Sequence, residues 1–153
     1  QFRTVEYLLG LKDKSFLKYQ DDRPEAQAAM QTALDGPSLW DHAIAALSRT
    51  GFAISPNLLK RDFSQSHVPS REVETAFLSV YRDPERYWEL YQLGEKLVDL
   101  DDAMATWRHK HVLTVERIIG GKMGTGGTAG VSYLQSTVPK RAFPELWSLR
   151  TAL

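Results

Sequence analysis

The sequence predicts an all-α protein, a helical bundle with one long central helix. Three observations predict it. Apolar residues recur at spacings of three and four nearly throughout. Between Pro84 and Gly120-Gly121 a single glycine, Gly94, is the one helix-breaking residue. No strand-like alternation of useful length competes, and no internal repeat or low-complexity run is visible.

Taken in order, the first helix carries Val5, Leu8 and Leu9 on one apolar face and closes at Gly10. A short segment around Phe16, Leu17 and Tyr19 follows. Pro24 suits the first turn of the next helix, where its missing N–H costs nothing, and Gly36 ends that helix. Ser38 and Asp41 have the spacing of a capping box, so a further helix is expected from Ser38 to Gly51. Ser55 to Ser70, with Pro56, Pro69 and the polar run Ser64-Gln65-Ser66-His67, reads as a surface connection. Arg71 to Tyr81 reads as a helix with Val73, Phe77 and Tyr81 four apart.

Asp83 is a natural N-cap and Pro84 a natural first-turn residue. From there one helix of about 37 residues is expected, about 55 Å long at about 1.5 Å per residue. Leu90, Leu93, Leu97, Leu100, Met104, Trp107, His111, Val115 and Ile118 step along it as one stripe. A helix of that length needs a bundle around it and contacts beyond this chain. Phe143-Pro144-Glu145-Leu146-Trp147 reads as a short packing helix. All of this reads as a single helical domain over 1–153. The first residue is Gln1 rather than Met, and helix is already under way there, so a piece of a longer chain is expected.

Composition narrows the function. Lys plus Arg and Asp plus Glu are 19 each, so the formal net charge is zero. That argues against nucleic acid as a partner and against a polybasic membrane surface. With no cysteine, disulfides, thiolate nucleophiles and thiolate-ligated metals are excluded. No apolar run approaches the roughly 20 residues of a membrane span, and no signal peptide is visible, so a cytoplasmic protein is expected.

His111 is the one polar member of the long stripe. A desolvated imidazole must find a partner for its nitrogens. Two readings stand: a core histidine held by a hydrogen bond, or an axial ligand to a metal or haem. His109, two residues away, points to nearly the opposite side, so the pair cannot chelate one ion while helical. His109, His42 and His67 read as surface residues, and Asp99, Asp101 and Asp102 as a solvated charge run. Gly124-Thr125-Gly126-Gly127-Thr128-Ala129-Gly130 places four glycines in seven residues. It is either a plain connection between helices or a loop offering N–H groups and a threonine hydroxyl to an anionic group. Its G-x-G-x-x-A pattern lacks the preceding strand of a dinucleotide site.

Trp107-Arg108-His109-Lys110-His111, Thr114-Val115-Glu116-Arg117-Ile118-Ile119-Gly120 and the Gly124–Gly130 string together resemble the tryptophan 2,3-dioxygenase family, in its C-terminal half and of the bacterial type. Phe2 to Gly10, Pro37-Ser38-Leu39-Trp40, Tyr87-Trp88 and Phe143-Pro144-Glu145-Leu146 extend the likeness over essentially the whole chain. The resemblance implies a larger helical haem-dioxygenase fold and a homotetramer. It implies haem b with His111 as the iron ligand, and L-tryptophan and O2 as substrates. It implies that Thr125 meets the amino-acid end of the substrate, with Gly124 and Gly126 holding the loop close. The distal-side histidine of the family lies before the start of this chain, so the missing N-terminal half is expected to complete the active site, and no catalytic residue is assigned within this segment. Two alternatives stay open: a relative that oxygenates another indole or aromatic amino acid, and a haem-free helical interaction domain.

Overall fold

The computed structural model describes residues 2–19, 23–120, 122 and 130–153. Among them every regular element is helical. They are α1 Phe2–Leu9, a 3₁₀ turn Lys14–Tyr19, α2 Pro24–Asp35, α3 Leu39–Arg49 and α4 Pro56–Leu59. Then come α5 Arg71–Arg82, α6 Trp88–Ile119, α7 Val131–Thr137, α8 Pro144–Ser148 and a closing 3₁₀ turn, Leu149–Ala152. The all-α expectation holds. The chain falls into two compact units, 1–95 with 142–153, and 96–141.

In the first unit α1 packs on α2 and α3, and α5 packs on α8 and the closing turn. Tyr7, Met30, Ala33 and Leu34 form one cluster, with Phe16 and Leu17 against it. Burying a side chain such as Leu34 or Phe77 stabilises by about 1.5–3 kcal/mol relative to leaving it in water. Pro24 does stand in the first turn of α2. The capping box forms as expected: Ser38 N and Oγ donate to Asp41 Oδ2 at 2.7 Å each, and Asp41 N donates to Ser38 Oγ at 3.4 Å. Arg61 adds a two-pronged pair to the same carboxylate, Nε to Oδ1 at 2.7 Å and Nη2 to Oδ2 at 2.9 Å. These bonds hold Asp41 below the usual carboxylate range against the opposing effect of burial. Lys12, also buried, donates to the carbonyls of Ala33, Leu34 and Gly36 at 2.6, 2.8 and 2.8 Å. These are acceptors at the end of α2 that its own ladder leaves open.

Four expectations need correction here. The buried face of α1 is Glu6, Tyr7 and Leu9, while Val5 and Leu8 are exposed, because the aromatic ring outcompetes them for the core. The connection from Ser55 to Ser70 contains α4, started by Pro56. The long helix starts at Trp88 rather than Pro84. Asp83 instead caps a separate turn, its Oδ1 accepting from Arg86 N at 3.3 Å and its carbonyl from Tyr87 N at 3.2 Å. His67 is half-buried rather than a freely exposed surface residue. Its ring stacks on Trp40, with centroids 4.3 Å apart and planes 12° apart. Its Nδ1 is shut from water beside the backbone of Gly10. Gly10 has φ +110°, and a Cβ there would lie 2.9 Å from that nitrogen, so glycine is needed twice over.

Gly94 is also explained. Tyr81 of α5 lies against it, and a Cβ would meet the Tyr81 hydroxyl at 2.8 Å. That hydroxyl donates to Glu95 Oε1 at 2.7 Å, and Arg150 pairs with the same oxygen at 2.6 Å.

The second unit consists of the later part of α6, then α7 and its following turn. α6 has 32 residues, about 48 Å at about 1.5 Å per residue. Its buried line here is Leu97, Asp101, Met104, Arg108 and Val112. The expected apolar stripe is therefore displaced. Leu97 and Met104 belong to the buried line, but Leu100, Trp107 and Ile118 are exposed, and His111 and Val115 are half-buried. Asp101 is fully buried, not part of a solvated run, whereas Asp99 and Asp102 are exposed. Two charged side chains occupy positions that hydrophobic periodicity would assign to apolar ones. Hydrogen bonding offsets the cost, as with Arg108 Nη1, which donates to the carbonyl of Lys140 at 2.8 Å.

Candidate functional site

Trp107, His111, Val115 and Ile118 share one face of α6 through their spacing of three and four. Trp107 and Ile118 on that face are 41% and 74% exposed, an unusual outlay of large apolar surface on one stretch of helix. His111 sits between them, half-buried. Its ring stacks on Trp107, one turn earlier, with centroids 4.7 Å apart and planes 17° apart. An i,i+4 pair on a helix meets in this way, and the indole restricts the orientation of the imidazole. Among the described residues no hydrogen bond reaches the His111 ring. The ring nitrogens therefore remain available as donors to a metal, or as hydrogen-bond partners for an incoming group. His109 and Lys110 are exposed on other faces, as expected for His109. His42 is exposed as well.

The surroundings limit what His111 could ligate. Among the described residues no group of three or more His, Asp or Glu side chains could hold a metal ion. A cation held by protein ligands alone would need several of them. One imidazole beside exposed apolar surface suits a metal that arrives with its remaining ligands in place. Haem does so, since its macrocycle supplies four ligands and wants one axial base and a greasy wall. The residues present fit that group.

Thr125, Gly124 and Gly126 lie outside the described residues. The ends of their connection are described: α6 stops at Ile119, with Gly120 N donating to the Glu116 carbonyl at 2.8 Å, and α7 starts at Val131. In the first unit a cavity of about 620 Å³ is lined by Arg49, Tyr87, Trp88, Leu90 and Leu93 among others. None of the expected site residues lines it.

Comparison with known proteins decides the ancestry. The family described as tryptophan 2,3-dioxygenase matches residues 58–153. The chain belongs to the tryptophan 2,3-dioxygenase family. The matched region holds α5 to α8 and so includes His111 and the glycine-rich connection. The chain is 70% identical over 153 residues to the tryptophan 2,3-dioxygenase of Caulobacter vibrioides, across 100% of this chain and 58% of that protein. It is 51% identical over the same 153 residues to those of Cupriavidus necator and Bacillus cereus, covering 52% and 55% of them. The chain thus spans about half the length of the curated relatives it matches. Tryptophan 2,3-dioxygenases are haem-dependent, which agrees with the donor chemistry of the His111 face.

Two features of this family member escaped the sequence reading. One is the buried pair of charged positions, Asp101 and Arg108, on the helix that carries His111. The spacing Leu97, Asp101, Met104, Arg108, Val112 is itself a helical stripe, and it was hidden because two of its members are charged. The other is the His67–Trp40 stack, which pairs residues 27 positions apart and leaves no local pattern.

Proposed function

We propose that this chain forms the proximal haem side of a dioxygenase. That enzyme opens the indole ring of L-tryptophan with O2 to give N-formylkynurenine. The observation that carries the reading is His111, whose ring makes no hydrogen bond among the described residues and lies on an open apolar face in the family-matched region. His111 would be the axial ligand of haem b. When bound, the haem supplies the iron at which O2 is activated. Trp107, stacked on the imidazole, would hold its plane, and Val115 and Ile118 would offer apolar surface to the macrocycle. Thr125 would meet the ammonium and carboxylate of the substrate, with Gly124 and Gly126 allowing close backbone approach. The length of the relatives that this chain does not span would complete the pocket, and the working form would be a cytoplasmic homotetramer. Neither nucleic acid nor membrane enters the reading; among the described residues no helix is long and apolar enough to cross a membrane.

The test is turnover by the haem-loaded, full-length protein. L-tryptophan should be consumed with O2 in equal amounts, and N-formylkynurenine should appear with both oxygen atoms incorporated. A haem-loaded protein that leaves L-tryptophan untouched would overturn the proposal.

A further inference from the structure

Between α4 and α5 the chain has no helix of its own, yet three side chains tie it down. Arg61 pairs with Asp41 of α3, and its Nη1 donates to the Gln65 carbonyl at 2.6 Å, folding the connection back on itself. Ser66 Oγ accepts from Lys12 N at 2.8 Å and donates to the Lys12 carbonyl at 2.9 Å. One hydroxyl thus serves both backbone groups of a residue 54 positions earlier. His67 stacks on Trp40 of α3 beside the Gly10 backbone. Beyond these ties Val68 is exposed, and Ser70 N donates to Glu145 Oε1 at 2.9 Å.

Acid acts on these ties unequally. The Ser66 hydroxyl does not titrate, and Arg61 stays charged. Asp41 is held below the usual carboxylate range. Asp62 is exposed, accepts from Ser64 N at 2.9 Å within the connection, and is held low as well. His67 is the member whose charge changes between neutrality and mild acid. Its neutral ring rests on Trp40 with Nδ1 sealed from water and without a hydrogen bond. An imidazolium carries an N–H on both nitrogens and needs an acceptor or water for each. The charges around it do not favour that cation in place. Arg61 opposes it and Asp41 of α3 attracts it, while Glu145 of α8 faces the Trp40 indole. The Lys12 ammonium is held on the carbonyls that end α2.

We propose that residues 61–68 form an acid-sensitive strap. Protonation of His67 frees the strap from Trp40 and from the Gly10–Lys12 backbone, so that it opens into water while the helices beneath stay packed. Neither haem nor L-tryptophan enters this inference.

Amide exchange of the full-length protein tests it, with rates corrected for the intrinsic effect of pH. His67 has its pKa lowered from 6.5 to about 4 when the strap is closed, so opening should be about twentyfold more frequent at about pH 5 than at about pH 7. Protection in residues 62–68 should fall by that factor. It should also be insensitive to low urea, the mark of a local opening that exposes little surface. His67→Phe keeps a ring on Trp40 and should abolish the fall. Ser66→Ala, which loses the tie to Lys12, should open more at both pH values and keep the fall. Protection in 62–68 that is the same at both pH values overturns the proposal, and the parent decides this if a variant does not fold. Exchange in 62–68 that rises with urea as steeply as that in α5 also overturns it, since only whole unfolding would then expose the segment. So does a fall that persists in His67→Phe.

Discussion

Replacing His67 with phenylalanine keeps a ring against Trp40 and removes the group that titrates there. Burial, reinforced by the nearby Arg61 guanidinium and opposed by Asp41, lowers the His67 pKa from 6.5 to about 4. The folded state thus favours the neutral ring. A depressed histidine contributes stability that is fully present above its unfolded pKa and is lost as pH falls toward the folded one. The window runs from about pH 6.5 down to about pH 4. A shift of about 2.5 units at about 1.36 kcal/mol each makes the full effect roughly 3 kcal/mol. Asp41, held low by Arg61, also loses stability in acid, whereas Glu145, pushed up by burial, gains there relative to neutral pH. Both are common to parent and variant, so the difference between the two proteins isolates His67. Urea unfolding at a series of pH values measures it. The variant should gain on the parent by up to about 3 kcal/mol between about pH 7 and about pH 4. Parallel stability curves over that range would refute the buried neutral stack.

Further outcomes follow from other contacts. Gly94→Ala should gain up to about 1 kcal/mol of helix propensity and lose about 1–3 kcal/mol to the clash with Tyr81, for a net loss of about 1 kcal/mol in thermal unfolding. Adding Tyr81→Phe should recover part of it, because the closest atom is the hydroxyl oxygen, and a more stable Gly94→Ala protein would count against the contact. Trp107→Leu keeps an apolar side chain but removes the ring stacked on His111. Haem should then dissociate about threefold to tenfold more readily in transfer to apomyoglobin, from the roughly 0.5–1.5 kcal/mol of an aromatic pair. Thr125→Ala should raise KM for L-tryptophan about tenfold with an unaltered visible spectrum; an unchanged KM would remove Thr125 from the substrate contacts.

Local signals in the sequence translated well into local structure. Pro24, the Ser38–Asp41 pair and the long run free of proline after Pro84 each act through neighbours within a turn, and each marks a helix that exists. The start of α6 was misplaced because Asp83 can cap a turn as readily as a helix, and which it does depends on packing. The stripe on α6 was misread for a related reason. Periodicity ranks residues by polarity, but the unit buries Asp101 and Arg108, the latter with a long-range hydrogen bond to the carbonyl of Lys140. The same displacement turns Trp107 and His111 outward, a placement that suits a ligand face better than a sealed core. His67 and Gly94 depend on partners distant in sequence, Trp40 and Tyr81, and nothing in their own neighbourhood announces them. Residue spacing alone leaves His111 between two readings, and the proposal of an iron ligand leans on family likeness.

The most direct measurement is the visible spectrum of the haem-reconstituted, full-length protein beside that of its His111→Ala variant, with and without added imidazole. The account predicts a Soret band for the parent, its loss or marked shift in the variant, and its return when imidazole enters the space left by the side chain. A variant that folds and keeps the spectrum of the parent unchanged would contradict His111 as the iron ligand.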